Sequence, residues 1–194
     1  DQNNFIYQTT FDGLDRVKEI KIPDLVSPYS PVTKTLYTYT DTSNPISIKK
    51  SDYLDNVNTT DTYQYFDGLG RLIQERKEAE IVGNFNVRDI FYDNRGLVLK
   101  ESLPYTSSGS SKTSPTNIVA LYTNYTYDPL GRPLTTTNAV GTTSYVYDDW
   151  KTTIIDANGK QKNYYKDARD NLVKVDEVNG ASIYTTNYDW NLNG

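Results

Sequence analysis

Tyr125-Thr126-Tyr127-Asp128-Pro129-Leu130-Gly131-Arg132-Pro133-Leu134 reads as the turn of a β-hairpin with its flanking strands. Tyr and Thr alternate into an Asp whose carboxylate can accept backbone N–H groups two residues on. Pro129 pre-sets φ at the next position, and Gly131 supplies the left-handed conformation that closes a type I turn with a bulge. The phrase recurs. Clear copies are Tyr65-Phe66-Asp67-Gly68-Leu69-Gly70-Arg71-Leu72-Ile73 and Phe91-Tyr92-Asp93-Asn94-Arg95-Gly96-Leu97-Val98. Weaker ones are Phe11-Asp12-Gly13-Leu14-Asp15-Arg16-Val17 and Tyr164-Tyr165-Lys166-Asp167-Ala168-Arg169-Asp170-Asn171-Leu172-Val173, with a degenerate Tyr188-Asp189-Trp190-Asn191. Asp15 and Asp170 stand where Gly is expected. Asp is among the few side chains that tolerate positive φ, so these two hairpins are expected to be the more strained.

The repeat assigns structural turn roles to Asp12, Asp67, Gly70, Arg71, Asp93, Gly96, Asp128, Gly131, Arg132 and Asp167, with Asp41 and Asp148 as looser turn candidates. The turn aspartates recur at roughly 20–35 residues, the length of two strands and their connections, which marks a repeat architecture. Residues 105–116, Tyr-Thr-Ser-Ser-Gly-Ser-Ser-Lys-Thr-Ser-Pro-Thr, lack apolar periodicity and read as an exposed polar loop open to proteolysis.

Tyr127-Asp128-Pro129-Leu130-Gly131-Arg132 and Tyr65-Phe66-Asp67-Gly68-Leu69-Gly70-Arg71 resemble the YD repeats of Rhs proteins, teneurins and the cocoon-forming subunits of insecticidal toxin complexes. The resemblance spans nearly the whole chain. It implies a long strip of hairpins that, in complete family members, spirals into a hollow shell around a toxin or other cargo. Asp128-Pro129-Leu130-Gly131 also echoes the Asp-Pro-x-Gly core motif linked to self-cleavage in complete Rhs proteins. Here it sits between Tyr125-Thr126-Tyr127 and Arg132-Pro133, the ordinary repeat context, so no protease residues carry over.

Composition independently favours strands. Tyr is 18 of 194 residues, Thr is abundant and Ala is sparse. No stretch sustains helical periodicity, while residues 71–77, 97–101, 152–155 and 172–178 form short apolar or alternating runs bounded by turn residues. The expected fold is all-β: consecutive antiparallel hairpins in a curved, solenoid-like sheet, one face stacking Tyr and the other meeting water. With nearest-neighbour packing, residues 1–194 are expected to form one quasi-linear unit, a fragment of a longer shell protein.

A hydrophobic content of 36% is thin for a compact globule of this length, and much of it is Tyr. The net charge of −5 argues against nucleic acid, which is held by clustered Lys and Arg. Lys49-Lys50 and the lysines of 160–166 read as solvated strand faces. No apolar run approaches the ~18–20 residues that span a bilayer.

His and Cys are absent, so Ser-His-Asp and Cys-His pairs cannot be assembled within the chain, and His- or Cys-ligated zinc is excluded. Asp148-Asp149 are adjacent and would point to opposite faces of a strand, a poor acid/base pair. Asp156-Ala157-Asn158-Gly159 starts like a calcium loop but lacks its third acidic position and closing Glu; a tight hairpin through Asn158-Gly159 explains it better. No catalytic, cofactor-binding or metal residues are assigned.

Tyr65, Tyr92, Tyr125, Tyr127, Tyr145, Tyr147, Tyr164 and Tyr165 are expected to pack across neighbouring strands and against the repeat's Leu and Arg. Asn58-Thr59-Thr60 and Asn124-Tyr125-Thr126 match glycosylation sequons, a frequent pattern in an Asn- and Thr-rich chain. The expected function is a non-enzymatic structural segment of a secreted or surface shell. Its partners would be the rest of that shell and an enclosed polypeptide. The alternative is an adhesin binding glycans or a receptor through exposed Tyr.

Overall fold

The computed structural model describes residues 5–24, 30–114 and 121–191. Among them lie sixteen strands and no helix. In chain order these are β1 (Gln8–Phe11), β2 (Val17–Pro23), β3 (Pro31–Thr40), β4 (Ile46–Tyr53), β5 (Thr59–Phe66), β6 (Leu72–Glu78), β7 (Asn84–Tyr92) and β8 (Val98–Ser102). They continue as β9 (Tyr105–Ser108), β10 (Tyr122–Tyr127), β11 (Pro133–Thr137), β12 (Thr142–Asp148), β13 (Lys151–Ile155), β14 (Gln161–Lys166), β15 (Leu172–Asn179) and β16 (Ser182–Asn187). The fold is all-β, and its antiparallel hairpins follow one another along the chain.

The chain gathers into two compact units, Asp1–Ile90 with Ser102–Ala120, and Phe91–Glu101 with Leu121–Gly194. The sequence reads one quasi-linear unit. Residues 105–108 belong to the first unit because β9 turns back to pair antiparallel with the first half of β7, from Asn84↔Ser108 to Val87↔Tyr105. Residues 105–108 are therefore a strand where the sequence reads an exposed loop; residues 115–116 of that expected loop lie outside the described residues. Alternation in β9 is invisible in Tyr-Thr-Ser-Ser because the face it covers is polar.

In the first unit, register puts Tyr63, Arg76 and Val87 opposite one another on β5, β6 and β7. Tyr65, Gln74 and Asp89 form the next row of the same face. Val87, Gln74 and Arg76 are 0% exposed and Asp89 is 2%. Tyr63 meets Phe85 edge-on at 5.7 Å. The opposite face is polar, with Gln64 Nε2 donating to Glu75 Oε2 at 3.0 Å and Lys50 paired with Asp52.

In the second unit, Tyr147, Thr152, Tyr164, Val175 and Thr186 line one face in register. The other face is a field of hydroxyls and amides. Thr126 bonds Thr135 at 2.6 Å, Thr153 donates to the buried Asn163 at 2.9 Å, and Thr185 to the buried Asp176 at 2.6 Å. The expected Tyr face is mixed here, with Tyr147 and Tyr164 beside Thr and Val, and the expected wet face buries Asn163 and Asp176 against hydroxyl partners. Lys49, Lys50, Lys162 and Lys166 are half-exposed, as a strand face requires, and each holds a carboxylate: Asp61, Asp52, Glu177 and Asp170.

Among the described residues no helix is long and apolar enough to cross a membrane.

Candidate functional site

The repeated turn is the first candidate. At Asp128 the backbone N–H donates to Arg132 O at 2.9 Å, and Gly131 N–H donates back to Asp128 O at 3.0 Å. The Asp128 Oδ1 accepts the N–H groups of Leu130 and Arg132 at 2.9 and 2.8 Å, and Oδ2 accepts Arg132 Nε at 2.6 Å. A short carboxylate thus satisfies two backbone donors that the tight turn would otherwise leave bare. The four backbone and Oδ1 bonds recur at Asp12, Asp67, Asp93 and Asp167, all between 2.8 and 3.2 Å. Register shifts beside the turns at Asp12, Asp67, Asp128 and Asp167, as a bulged hairpin demands.

Gly70, Gly96 and Gly131 take φ of +76, +85 and +83°, and Asp15 and Asp170 fill the same position at +58 and +68°. Lys166 Nζ reaches the Asp170 carboxylate at 2.9 Å. A Cβ at Gly131 would touch only Leu97 Cδ1, at an ordinary 3.7 Å, so the cost of a larger side chain there is backbone strain. Gly131→Val is expected to destabilise by about 1–2 kcal/mol. An unchanged thermal midpoint would contradict the left-handed turn.

Asp156 carries the same turn. Its N–H bonds Lys160 O, Gly159 N–H bonds Asp156 O, and Oδ1 accepts Asn158 and Lys160 N–H at 2.9 and 2.8 Å. The sequence reads a tight hairpin through Asn158-Gly159 instead. Asp at i and Gly at i+3 were the signal; the missing Tyr before the Asp and the missing Arg after it concealed the copy. Its flanking register runs without a shift, from Ile155↔Gln161 to Lys151↔Tyr165.

Two looser candidates are corrected. Asp41 follows β3 but caps no turn of its own: both its oxygens accept the guanidinium of Arg16, at 2.7 and 2.9 Å. Asp148 is the last residue of β12, paired with Lys151, and Asp149 and Trp150 form the two-residue loop, with Asp149 at φ +49°. Short polar side chains tolerate that conformation, so Asp149 rather than Asp148 occupies the turn position.

Successive repeats are fastened by a clasp that spacing in the sequence does not announce. Tyr39 Oη donates to Val17 O at 2.7 Å, Tyr127 Oη to Val98 O at 2.8 Å, and Tyr147 Oη to Pro133 O at 2.8 Å. Each acceptor lies five residues after a turn Asp: Asp12, Asp93 and Asp128. Trp190 Nε1 does the same to Leu172 O, five after Asp167, at 2.7 Å. The degenerate last copy therefore substitutes an indole for the phenol, both being large apolar bodies with one polar tip.

The turn arginine sits under the same ring. Arg16 Cζ lies 3.9 Å from the Tyr39 centroid, Arg132 Cζ 4.2 Å from that of Tyr147, and Arg95 Cζ 6.0 Å from that of Tyr127. Arg95 also donates to Asp128 O at 2.8 Å, tying one turn to the next. Each arginine is held flat by its own turn carboxylate, so it stacks on the ring without losing its ion pair. Arg71 likewise pairs with Asp67 at 2.7 Å.

These bonds hold the turn carboxylates below the usual carboxylate range. At Asp12 the Arg16 side chain is the largest cause, and at Asp67 the backbone N–H of Arg71. At Asp93, Asp128 and Asp167 burial pushes upward but is outweighed by backbone donors and then side-chain partners. A depressed folded pKa means stability is fully present above the unfolded value, near ~3.9 for Asp, and is lost as pH falls through the folded values. Denaturation midpoints are expected to hold steady from neutral pH to about pH 5 and to fall steeply below about pH 4. A flat profile to pH 3 would contradict the turn geometry. Burial raises the phenols of Tyr39, Tyr127 and Tyr147.

A second cluster lies in the first unit. Arg76 donates through Nε and Nη2 to Gly109 O at 3.0 and 2.7 Å. Nη2 also reaches Ser108 O at 3.0 Å, and Nη1 reaches Thr113 Oγ1 and Gln74 Oε1 at 3.0 and 3.3 Å. Gln74 Nε2 donates to Asp89 Oδ1 at 2.6 Å and to Thr113 O at 2.7 Å. Tyr105 Oη donates to Asp89 Oδ2 at 2.7 Å. Burial holds Arg76 below the ordinary arginine value. Sequence reasoning missed this cluster, because Gln74 and Arg76 are polar residues in the short run 71–77, and nothing local names the distant strap that covers them. Among the described residues no buried side-chain polar atom lacks a partner, and no group of carboxylates is placed to hold a metal.

A family profile described as RHS Repeat matches residues 127–161, and one described as Domain of unknown function (DUF6443) matches residues 37–127. No curated protein matches. Among solved structures the chain is similar to one in "Crystal Structure of TcdB2-TccC3-Cdc42", with 10% identity and a TM-score of 0.49, over 88% of this chain and 10% of that one. The chain thus spans about a tenth of that chain's length. The RHS Repeat interval contains both the Asp128 and the Asp156 turns, whose geometry recurs at Asp12, Asp67, Asp93 and Asp167, so over residues 127–161 the chain is similar to the Rhs, or YD-repeat, family.

Proposed function

We propose that residues 1–194 are a wall segment of a secreted or surface Rhs-like β-shell, a curved strip of hairpins that encloses a polypeptide cargo and performs no turnover. The observation that carries this reading is the clasp. The turns at Asp12, Asp93, Asp128 and Asp167 each offer a carbonyl to an aromatic side chain of a following strand, and the first three add a flattened guanidinium beneath it, so hairpins can be added in series without a new interface each time. Asp turns and arginine stacks of this kind build a wall. The partners would be further repeats of the same protein and the chain they surround.

The adhesin reading loses ground because Tyr39, Tyr65, Tyr105, Tyr125, Tyr127 and Tyr147 already spend their hydroxyls inside the protein. The test is electron microscopy of the full-length protein combined with limited proteolysis. A hollow particle that keeps an internal polypeptide intact until the particle is unfolded is the expected result. A solid particle, or cargo digested at the rate of the free polypeptide, would overturn it. A glycan array with saturable binding to the exposed aromatics would favour the adhesin.

A further inference from the structure

The Arg76 cluster makes an unusual set of contacts to residues 105–113. Nearly all go to main chain. The β7 edge pairs with 105–108, Gly83 O accepts Gly109 N–H at 2.8 Å, and Tyr65 Oη donates to Ser110 O at 2.5 Å. Arg76 takes the carbonyls of Ser108 and Gly109. Gln74 faces Thr113 with its whole amide, donating to Thr113 O at 2.7 Å and accepting Thr113 N–H at 3.3 Å, as a strand partner would. Only Tyr105 and Thr113 are gripped by their own side chains. Between them, Gly109 is held at a φ of +75°, while the side chains of Thr106, Ser107, Ser108, Ser110, Ser111 and Lys112 enter none of the contacts above.

We infer that the β7 edge with Tyr65, Gln74, Arg76 and Asp89 is a binding groove for an extended peptide backbone. Residues 105–113 are its occupant in cis, and the ligand class is an aromatic residue followed by mostly small polar ones with a Gly at the fifth position. The chemistry is that of strand addition. Main-chain bonds supply affinity, one aromatic hydroxyl on Asp89 sets register, and small side chains let the backbone approach the guanidinium. A buried charge whose bonds run mainly to carbonyls of a single strap would be left bare if the strap departed, so another extended chain is the natural replacement. This inference uses the first unit alone and stands apart from the shell reading.

The test uses the full chain and a fluorescent peptide of residues 103–114. Gly109→Pro removes the N–H bonded to Gly83 O and the positive φ of +75°, releasing the strap. The variant is expected to bind the peptide saturably and at least about tenfold more tightly than the native chain, whose groove is filled. The double variant Gly109→Pro/Arg76→Gln should lose that binding. If Gly109→Pro does not fold, hydrogen exchange on the native chain decides. Excess peptide should speed exchange of the chain's own 105–113 amides while β14 and β15 are unaffected. A folded Gly109→Pro that ignores the peptide, or exchange at 105–113 indifferent to it, would overturn the inference.

Discussion

Arg76→Ala is expected to cost about 3–5 kcal/mol, the largest single-site effect in the chain. The side chain is wholly buried and fills the space between β6 and the 108–113 segment. Truncation leaves a cavity and strips partners from Ser108 O, Gly109 O, Thr113 Oγ1 and Gln74 Oε1 at once. Removing a buried charge also relieves its desolvation, which is why buried ion pairs replaced by apolar residues are sometimes neutral. That relief is small here because the acceptors are carbonyls that stay behind and need new donors. Arg76→Lys should recover only part of the loss, since one ammonium cannot span the fork that reaches residues 108, 109 and 113 together. Urea unfolding of the variants checks this. An Arg76→Met protein as stable as the native one would show that the polar centre contributes nothing to stability.

Gly141→Val is expected to destabilise by roughly 2–5 kcal/mol, more than Gly131→Val. Gly141 has φ +150°, and a Cβ built on it would stand 2.9 Å from Ala157 Cβ, with the Ala157 Cα and O at 3.6 Å. Two costs add, backbone strain and a collision with a neighbouring turn that cannot swing away, because Ala157 is held inside the Asp156 loop. The two separate experimentally. Pairing Gly141→Val with Ala157→Gly should restore the collision part and leave the strain, so the double-variant cycle should show a coupling of about 1 kcal/mol or more. Additive losses would mean the two loops do not touch.

The local parts of this fold were legible because they are chosen within five residues. Asp at the first position and Gly at the fourth dictate the turn at Asp67, Asp93 and Asp128 whatever surrounds them, and the short β-branched and aromatic runs between turns can only be strands. The tolerance of Asp for positive φ carried the reading to Asp15 and Asp170. Asp156 is hidden from that reading because its copy lacks the Tyr and Arg, which belong to the clasp and not to the turn.

What tertiary structure decided lies where a residue's role depends on a strand far along the chain. Tyr39 reaches Val17, Tyr147 reaches Pro133 and Trp190 reaches Leu172 through register between neighbouring strands, which no local pattern encodes. Asp41 gives its carboxylate to Arg16 for the same reason. The sharpest divergence is at Arg76 and 105–113. A charged residue in a strand and a run of Ser, Gly and Thr each favour water when taken alone. Packed together, the guanidinium satisfies the strap's carbonyls and the strap shields the guanidinium, so neither burial is favourable until both occur.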